Sequence, residues 1–213
     1  MVTKEAETFQ LVETTWENWK NMYPGSKVLS TKTGYERDYS RNPYGNYKTS
    51  SSLLFSVTPR DERLFEKERV LGIIQNGQAQ VYRFNLFTDS IGVLNDHFKE
   101  SPFVIAGSKP ANFMVAYRTK TSNNELKNLH FEPVQDSLPV IMKDQDGSLW
   151  NIFGEAVSGP NKGKKLERAE AFIGFSVIPE IPVYSDLNGT QLTTSYRIRG
   201  ALTIYFNKIQ STL

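Results

Sequence analysis

Apolar residues in this chain fall mostly into short runs alternating with polar ones, broken by Asn-Gly and Asp-Gly pairs, the pattern of antiparallel hairpins. Residues 70–75 (VLGIIQ) and 78–84 (QAQVYRF) flank Asn76-Gly77, a dipeptide suited to a type I′ turn. Val140, Ile141 and Met142 lead through Asp146-Gly147 into residues 148–153, a second hairpin. Residues 183–187 and 191–198 around Asn188-Gly189 make a third. Runs at 103–105, 112–118 and 129–131 read as further strands, and residues 88–96 as helical or irregular. Helical spacing is clearest near the start, where Trp16, Trp19 and Tyr23 recur until Pro24-Gly25 stops the element. Thr14 and Glu17 have the spacing of a capping box. The two tryptophans are expected to pack on a sheet, the alternative being an aromatic ligand platform.

A short strand is predicted at residues 28–30. After it, residues 33–52 (TGYERDYSRNPYGNYKTSSS) follow no period and read as a long ordered loop, either functional or a serine-flanked linker. With hairpins and no regular β-α-β alternation, the predicted fold class is mainly β: an antiparallel barrel or sandwich with one or two short helices. Residues 1–50 form an aromatic helix, strand and tyrosine-rich loop, and residues 51–213 a β-rich domain, together one compact unit. Trp16, Trp19, Pro24 and residues 28–30 also align with Phe172, Phe175, Pro179 and residues 183–185, a faint internal repeat.

Composition narrows the chemistry. With no cysteine, disulfides, thiolate metal sites and cysteine nucleophiles are excluded. Two histidines, His97 and His130, leave little for zinc or a histidine-based triad. A net charge of +2 from 25 basic and 23 acidic residues gives no field that marks nucleic acid as a partner. Neither a metal nor a cofactor is expected. The first ten residues, MVTKEAETFQ, contain no apolar core of a signal peptide, and no run is long enough to span a membrane as a helix.

Several motifs resemble sites and fail on spacing. Gly159 to Gly163, followed by Lys164 and Lys165, has three residues between its glycines where a phosphate loop needs four, and lacks the hydroxyl residue after lysine. Lys162, Lys164, Lys165 and Arg168 therefore read as a solvated basic turn with weak anion affinity at most. Asp144, Asp146 and Ser148 resemble the start of a calcium loop, with Glu155 at the twelfth place, but the glycine stands fourth instead of sixth. Asp96 and His97 are adjacent, so on a strand they face opposite ways and do not act as a pair. His130 is expected to point outward from an edge strand. Arg37 and Asp38, set among Tyr35, Tyr39 and Tyr44, can hold a carboxylate, phosphate or sugar by forked hydrogen bonds and stacking. The competing role for that pair is to brace the loop.

Four stretches carry a family resemblance: residues 13–30 (ETTWENWKNMYPGSKVLS), 35–47 (YERDYSRNPYGNY), 68–84 with Leu94-Asn95-Asp96 after it, and 146–166 (DGSLWNIFGEAVSGPNKGKKL). In this order the chain resembles the bacterial and archaeal domain of unknown function 3179. The resemblance implies the tail of a first half and most of a second, an extracytoplasmic setting, and no activity that transfers. A Cys-Pro motif of that family has no counterpart here; Gly107, Ser108 and Lys109 stand near its place, so no redox or metal role carries over.

Two functions are compatible with these residues. The first is a non-catalytic binding or structural module whose partner is a small molecule or a partner half-domain. The alternative is a carboxylate hydrolase with a cleft between the tyrosine-rich loop and the Trp150 hairpin. Candidate ligand-binding residues are Tyr35, Arg37, Asp38, Tyr39, Tyr44, Trp150 and Glu155; none is assigned a catalytic role.

Overall fold

The structure, a computed structural model, describes residues 11–47, 49–53, 64, 67–75, 78–120 and 129–175. The alternating runs become β1 (Arg69–Gln75), β2 (Gln78–Arg83), β3 (Gly92–Phe98), β4 (Ser101–Ser108), β5 (Phe113–Arg118) and β6 (Phe131–Pro133). They continue as β7 (Val140–Asp144), β8 (Leu149–Asn151), β9 (Ala156–Ser158), β10 (Glu167–Arg168) and β11 (Ala171–Phe175). One α-helix, α1 (Trp16–Met22), and a 3-10 turn at Phe84–Leu86 complete the described elements. The mainly β expectation holds, as a sandwich and not a closed barrel.

Three antiparallel sheets have strand orders β11-β1-β2, β10-β5-β4-β3 and β6-β7-β8-β9. Side chains alternate across a strand, and on the middle sheet both faces are buried. Val104, Ala106, Phe113 and Val115 face one core with Phe131, Ile141, Trp150 and Ile152. Phe103, Ile105, Met114 and Ala116 face a second core with Leu71, Ile73 and Tyr82. Antiparallel sheets commonly keep one wet face; here the middle sheet is the central layer of three. Each large apolar side chain fully buried in this way contributes roughly 1.5–3 kcal/mol.

Strand β3 fastens the layers with the residues of Leu94-Asn95-Asp96. The Asn95 amide donates to the Phe131 carbonyl and accepts from the Phe131 N–H, both at 2.8 Å, as a backbone rung would. Asp96, on the opposite face, accepts from Gln80 Nε2 (3.0 Å) and the Tyr82 hydroxyl (3.1 Å) of the other outer sheet. Residues 88–96 were expected to be helical or irregular, but β3 begins at Gly92. Pairing with β4 over all seven of its residues supplies the order that the local sequence lacks.

Gly92 and Gly107 lie directly opposite each other on β3 and β4, and the Phe87 ring fills the space that their side chains would take. A Cβ on either would stand 2.7 or 2.9 Å from that ring. Gly107→Ala is therefore expected to cost about 1–3 kcal/mol by overpacking, and Phe87→Ala about 3–5 kcal/mol. Urea melts of the double variant should match Phe87→Ala alone, because the ring that collides has gone. Simple additivity of the two changes would refute this slot.

Three N-terminal expectations are corrected. The helix cap is Thr15, whose hydroxyl accepts from the Asn18 N–H at 3.2 Å, while the Thr14 hydroxyl is drawn off to the Ala111 carbonyl at 2.8 Å. No residue of α1 is buried and Trp16 is 52% exposed, so the tryptophan pair does not pack on a sheet. Residues 28–30 form no strand: Val28 and Leu29 are both exposed and belong to none of the sheets. Of the repeat, Phe172 and Phe175 lie on strand β11, unlike helical Trp16 and Trp19. Pro179, residues 183–185 and the third hairpin lie outside the described residues, as does the Asn76-Gly77 turn, although Gln75 pairs with Gln78 beside it.

Candidate functional site

The last of the four family-like stretches, residues 146–166, folds with the end of β7 into a hairpin organised by one carboxylate. Asp144 ends β7 and is 1% exposed. Its Oδ1 accepts from the N–H groups of Asp146 (3.0 Å) and Ser148 (2.8 Å), and its Oδ2 from Trp150 Nε1 and Asn161 Nδ2, both at 2.9 Å. Ser148 Oγ accepts in turn from the Asn161 N–H at 3.0 Å, and Asn161 Oδ1 from Lys164 Nζ at 3.0 Å. A buried charge requires such pairing. Burial alone pushes the Asp144 carboxyl up, but hydrogen bonds from Asn161, Trp150 and Ser148 outweigh it and hold the group below its ordinary value.

This arrangement accounts for the motifs that fail as sites. All four donors turn N–H groups toward Asp144, the opposite of what a cation needs. Among the described residues no cluster of three or more metal-ligating side chains occurs. In the glycine-lysine loop, the amides of Lys162, Gly163 and Lys164 donate to the carbonyls of Gly159, Ala156 and Asn161, so they do not form a phosphate cradle. Trp150 is fully buried and edge-on to Phe131, with ring centroids 5.8 Å apart. Its place is the core, and in this packing it presents no face to a ligand.

Glu155 lies on the outside of the same hairpin. Lys165 Nζ donates to it at 2.7 Å and Asn151 Nδ2 at 3.2 Å, and these contacts, Lys165 first, hold its carboxyl below the ordinary value. Tyr117 reaches across from the middle sheet, its hydroxyl donating to the Ile152 carbonyl at 2.7 Å, and burial pushes that phenol up. His97 is exposed on β3 while Asp96 turns inward, as alternation requires. His130 is exposed one residue before edge strand β6.

The remaining candidates lie on an arm. At its start, the Ala111 carbonyl accepts from Thr14 Oγ1, and at 3.4 Å from the Thr15 N–H and Asn18 Nδ2. Arg69 bridges Glu13 Oε2 at 2.8 Å and Asn112 Oδ1, with its guanidinium 4.2 Å from the Phe84 ring centre. Val12 and Met22 touch the first core, and Tyr23 approaches Phe153 at 6.2 Å. Residues 27–46 are then all exposed. Among the described residues their hydrogen bonds stay local: Tyr39 with Thr33 at 2.7 Å, Asp38 Oδ1 with the Ser40 N–H at 3.0 Å, and Asn42 Oδ1 with the Tyr44 N–H at 3.0 Å. Asp38 sits 4.0 Å from Arg41, not paired with Arg37.

The tyrosine-rich loop thus brings Tyr35, Arg37, Asp38, Tyr39 and Tyr44 into one exposed stretch; no described hydrogen bond or ion pair joins it to Glu155. A residue that pattern reading missed is Lys67, itself buried, whose Nζ donates to the carbonyls of Tyr47 (2.6 Å) and Ser50 (2.7 Å) and lies 3.5 Å from the Tyr47 ring centre. Its positive φ of 62° is the one local sign, and it is visible only in the backbone. Among the described residues no helix is long and apolar enough to cross a membrane.

A family model described as protein of unknown function, DUF3179, matches residues 1–178. No curated protein and no solved structure matches the chain.

Proposed function

On the premise that this chain belongs to the DUF3179 family, we propose that it is a non-catalytic binding module in which the three-layer body holds out the arm of residues 11–47 to a ligand. One observation carries this reading. Of the nine exposed large apolar side chains among the described residues, eight (Leu11, Trp16, Tyr23, Val28, Leu29, Tyr35, Tyr39 and Tyr44) lie on the arm, and only Val157 lies elsewhere. Exposed apolar surface concentrated in one segment marks an interaction site. Tyr35, Tyr39 and Tyr44 offer ring faces, and Arg37 and Asp38 offer a fork of donors beside a carboxylate. Ser40 and Asn42 stand between them, and the opposite charges of Glu36, Arg37, Asp38 and Arg41 balance. Such a surface suits an uncharged, hydroxyl-rich ligand of the saccharide class.

The competing hydrolase needs a carboxyl poised to give up a proton near neutral pH. Glu155, held below its ordinary value beside Lys165, has the character of a charge partner instead, which supports the binding role.

A panel of soluble oligosaccharides, titrated by isothermal calorimetry, tests the proposal. The triple variant Tyr35→Ala, Tyr39→Ala, Tyr44→Ala should weaken binding at least about tenfold, with stability unchanged within about 0.5 kcal/mol as for other surface sites. Absence of binding across the panel, equal affinity of the triple variant, or turnover abolished by one point change would each sink the reading.

A further inference from the structure

We propose that Lys67 is a releasable latch that sets where the tyrosine-rich loop stands relative to the body. The arm touches the body through two described regions of very different construction. The first, around Ala111, combines three hydrogen bonds to one carbonyl, the Arg69 bridge and the apolar contacts of Val12 and Met22. The second rests on one ammonium group, which donates to the Tyr47 and Ser50 carbonyls and lies against the Tyr47 ring. Between them, the hydrogen bonds of residues 27–46 within the described structure stay local and reach no farther than Ser50.

Lys67 differs from a routine surface lysine in two ways. Its side chain is buried, and among the described residues no carboxylate lies within ion-pair distance of it. Among the described residues its charge is therefore stabilised by carbonyl dipoles and a π face, supplied by Tyr47 at the end of the arm and by Ser50 just after it. If the arm leaves, the ammonium regains water, so opening strands no uncompensated charge. Its neighbour Glu68 is held differently, by the Arg83 guanidinium at 2.5 and 3.0 Å, a pairing internal to the body. The lysine also holds its backbone in the left-handed region, which disfavours a side chain. The latch is thus sparse, reversible and mechanically separate from both cores.

The latch concerns the arm that carries the proposed function, yet its test uses no ligand, so its failure leaves that function standing. The absence of native cysteine allows clean spin labelling at Glu36→Cys on the arm and Glu100→Cys at the β3–β4 turn, read by pulsed dipolar spectroscopy. In this parent the distance distribution should be narrow. Lys67→Met, which keeps the stem and removes the ammonium, should broaden it about twofold or more while the thermal melt of the body remains cooperative, the behaviour of a locally opening unit. Lys67→Arg, which restores a charged donor, should narrow it again. Tyr47→Leu, which removes the ring face and keeps the lysine, should broaden it to an intermediate width and serves as the reading should Lys67→Met not fold. An unchanged distribution in folded Lys67→Met, or one equally broad in Lys67→Arg, overturns the latch.

Discussion

Asp144→Ala is expected to destabilise the protein by about 3–5 kcal/mol, the usual cost of removing one partner from a buried, hydrogen-bonded charge network. The indole N–H of Trp150, the amide of Asn161 and the backbone N–H groups of Ser148 and Asp146 all lose their acceptor at once. Urea denaturation should show the loss as a lower midpoint with an unchanged slope. Asp144→Asn keeps one acceptor oxygen but turns an NH₂ toward two of the donors, so an intermediate loss is expected. The sign of the pH effect follows from linkage. A carboxyl held below its unfolded value contributes stability above that value and loses it as pH falls toward the folded one. Acid unfolding of the parent below about pH 4, where free Asp titrates, should therefore include a step that Asp144→Asn lacks. Equal stability of Asp144→Ala and the parent would remove the network from its central place.

Gly159→Ala should cost about 3 kcal/mol or more, unusual for the addition of one methyl group. Part is the left-handed backbone, φ +84°, which carries roughly 1–2 kcal/mol for a side chain. The larger part is position: a Cβ would lie 2.5 Å from Ser148 Cα, and a backbone atom cannot rotate aside. Ser148 would have to shift, and its N–H to Asp144 and its Oγ to Asn161 with it. Gly147 and Gly163 provide the comparison inside the same hairpin, with φ of +86° and +87° and open space where a Cβ would go. Alanine there should cost only the backbone part. If thermal melts give all three variants the same loss, close packing at Ser148 is not what Gly159 protects.

Local grammar made much of the sheet legible. The β1–β2 and β7–β8 hairpins were readable because turn dipeptides fix pairing between neighbours in sequence. The layering was not, since β4 and β5 read as apolar runs whether one face or two are covered. The Asp144 to Asn161 bond spans 17 positions, and the same letters read linearly as a poor calcium loop. Thr14 failed as a cap because Ala111, 97 positions away, offered its hydroxyl a better partner. Residues 28–30 have the side chains of a strand and lack a neighbour to pair with. For the candidate site, Tyr35, Tyr39 and Tyr44 were readable as loop residues because nothing periodic organised them, while their exposure came from the structure. Trp150 read as a possible contact residue although its own N–H answers a buried carboxylate. Lys67 left no trace at all, since its role depends on carbonyls that every residue has.

The covering of both faces of the middle sheet has a consequence for how this chain can vary. In β4 and β5, every side chain from Phe103 to Ser108 and from Phe113 to Tyr117 is buried, so these strands have no solvent face on which a polar change passes unnoticed. Sequence drift is confined to residues that do not hold up the layers. Among the described residues the longest such stretch is in the arm, where residues 27–46 can exchange with little effect on the body. A chain built this way can change what it touches without renegotiating how it folds.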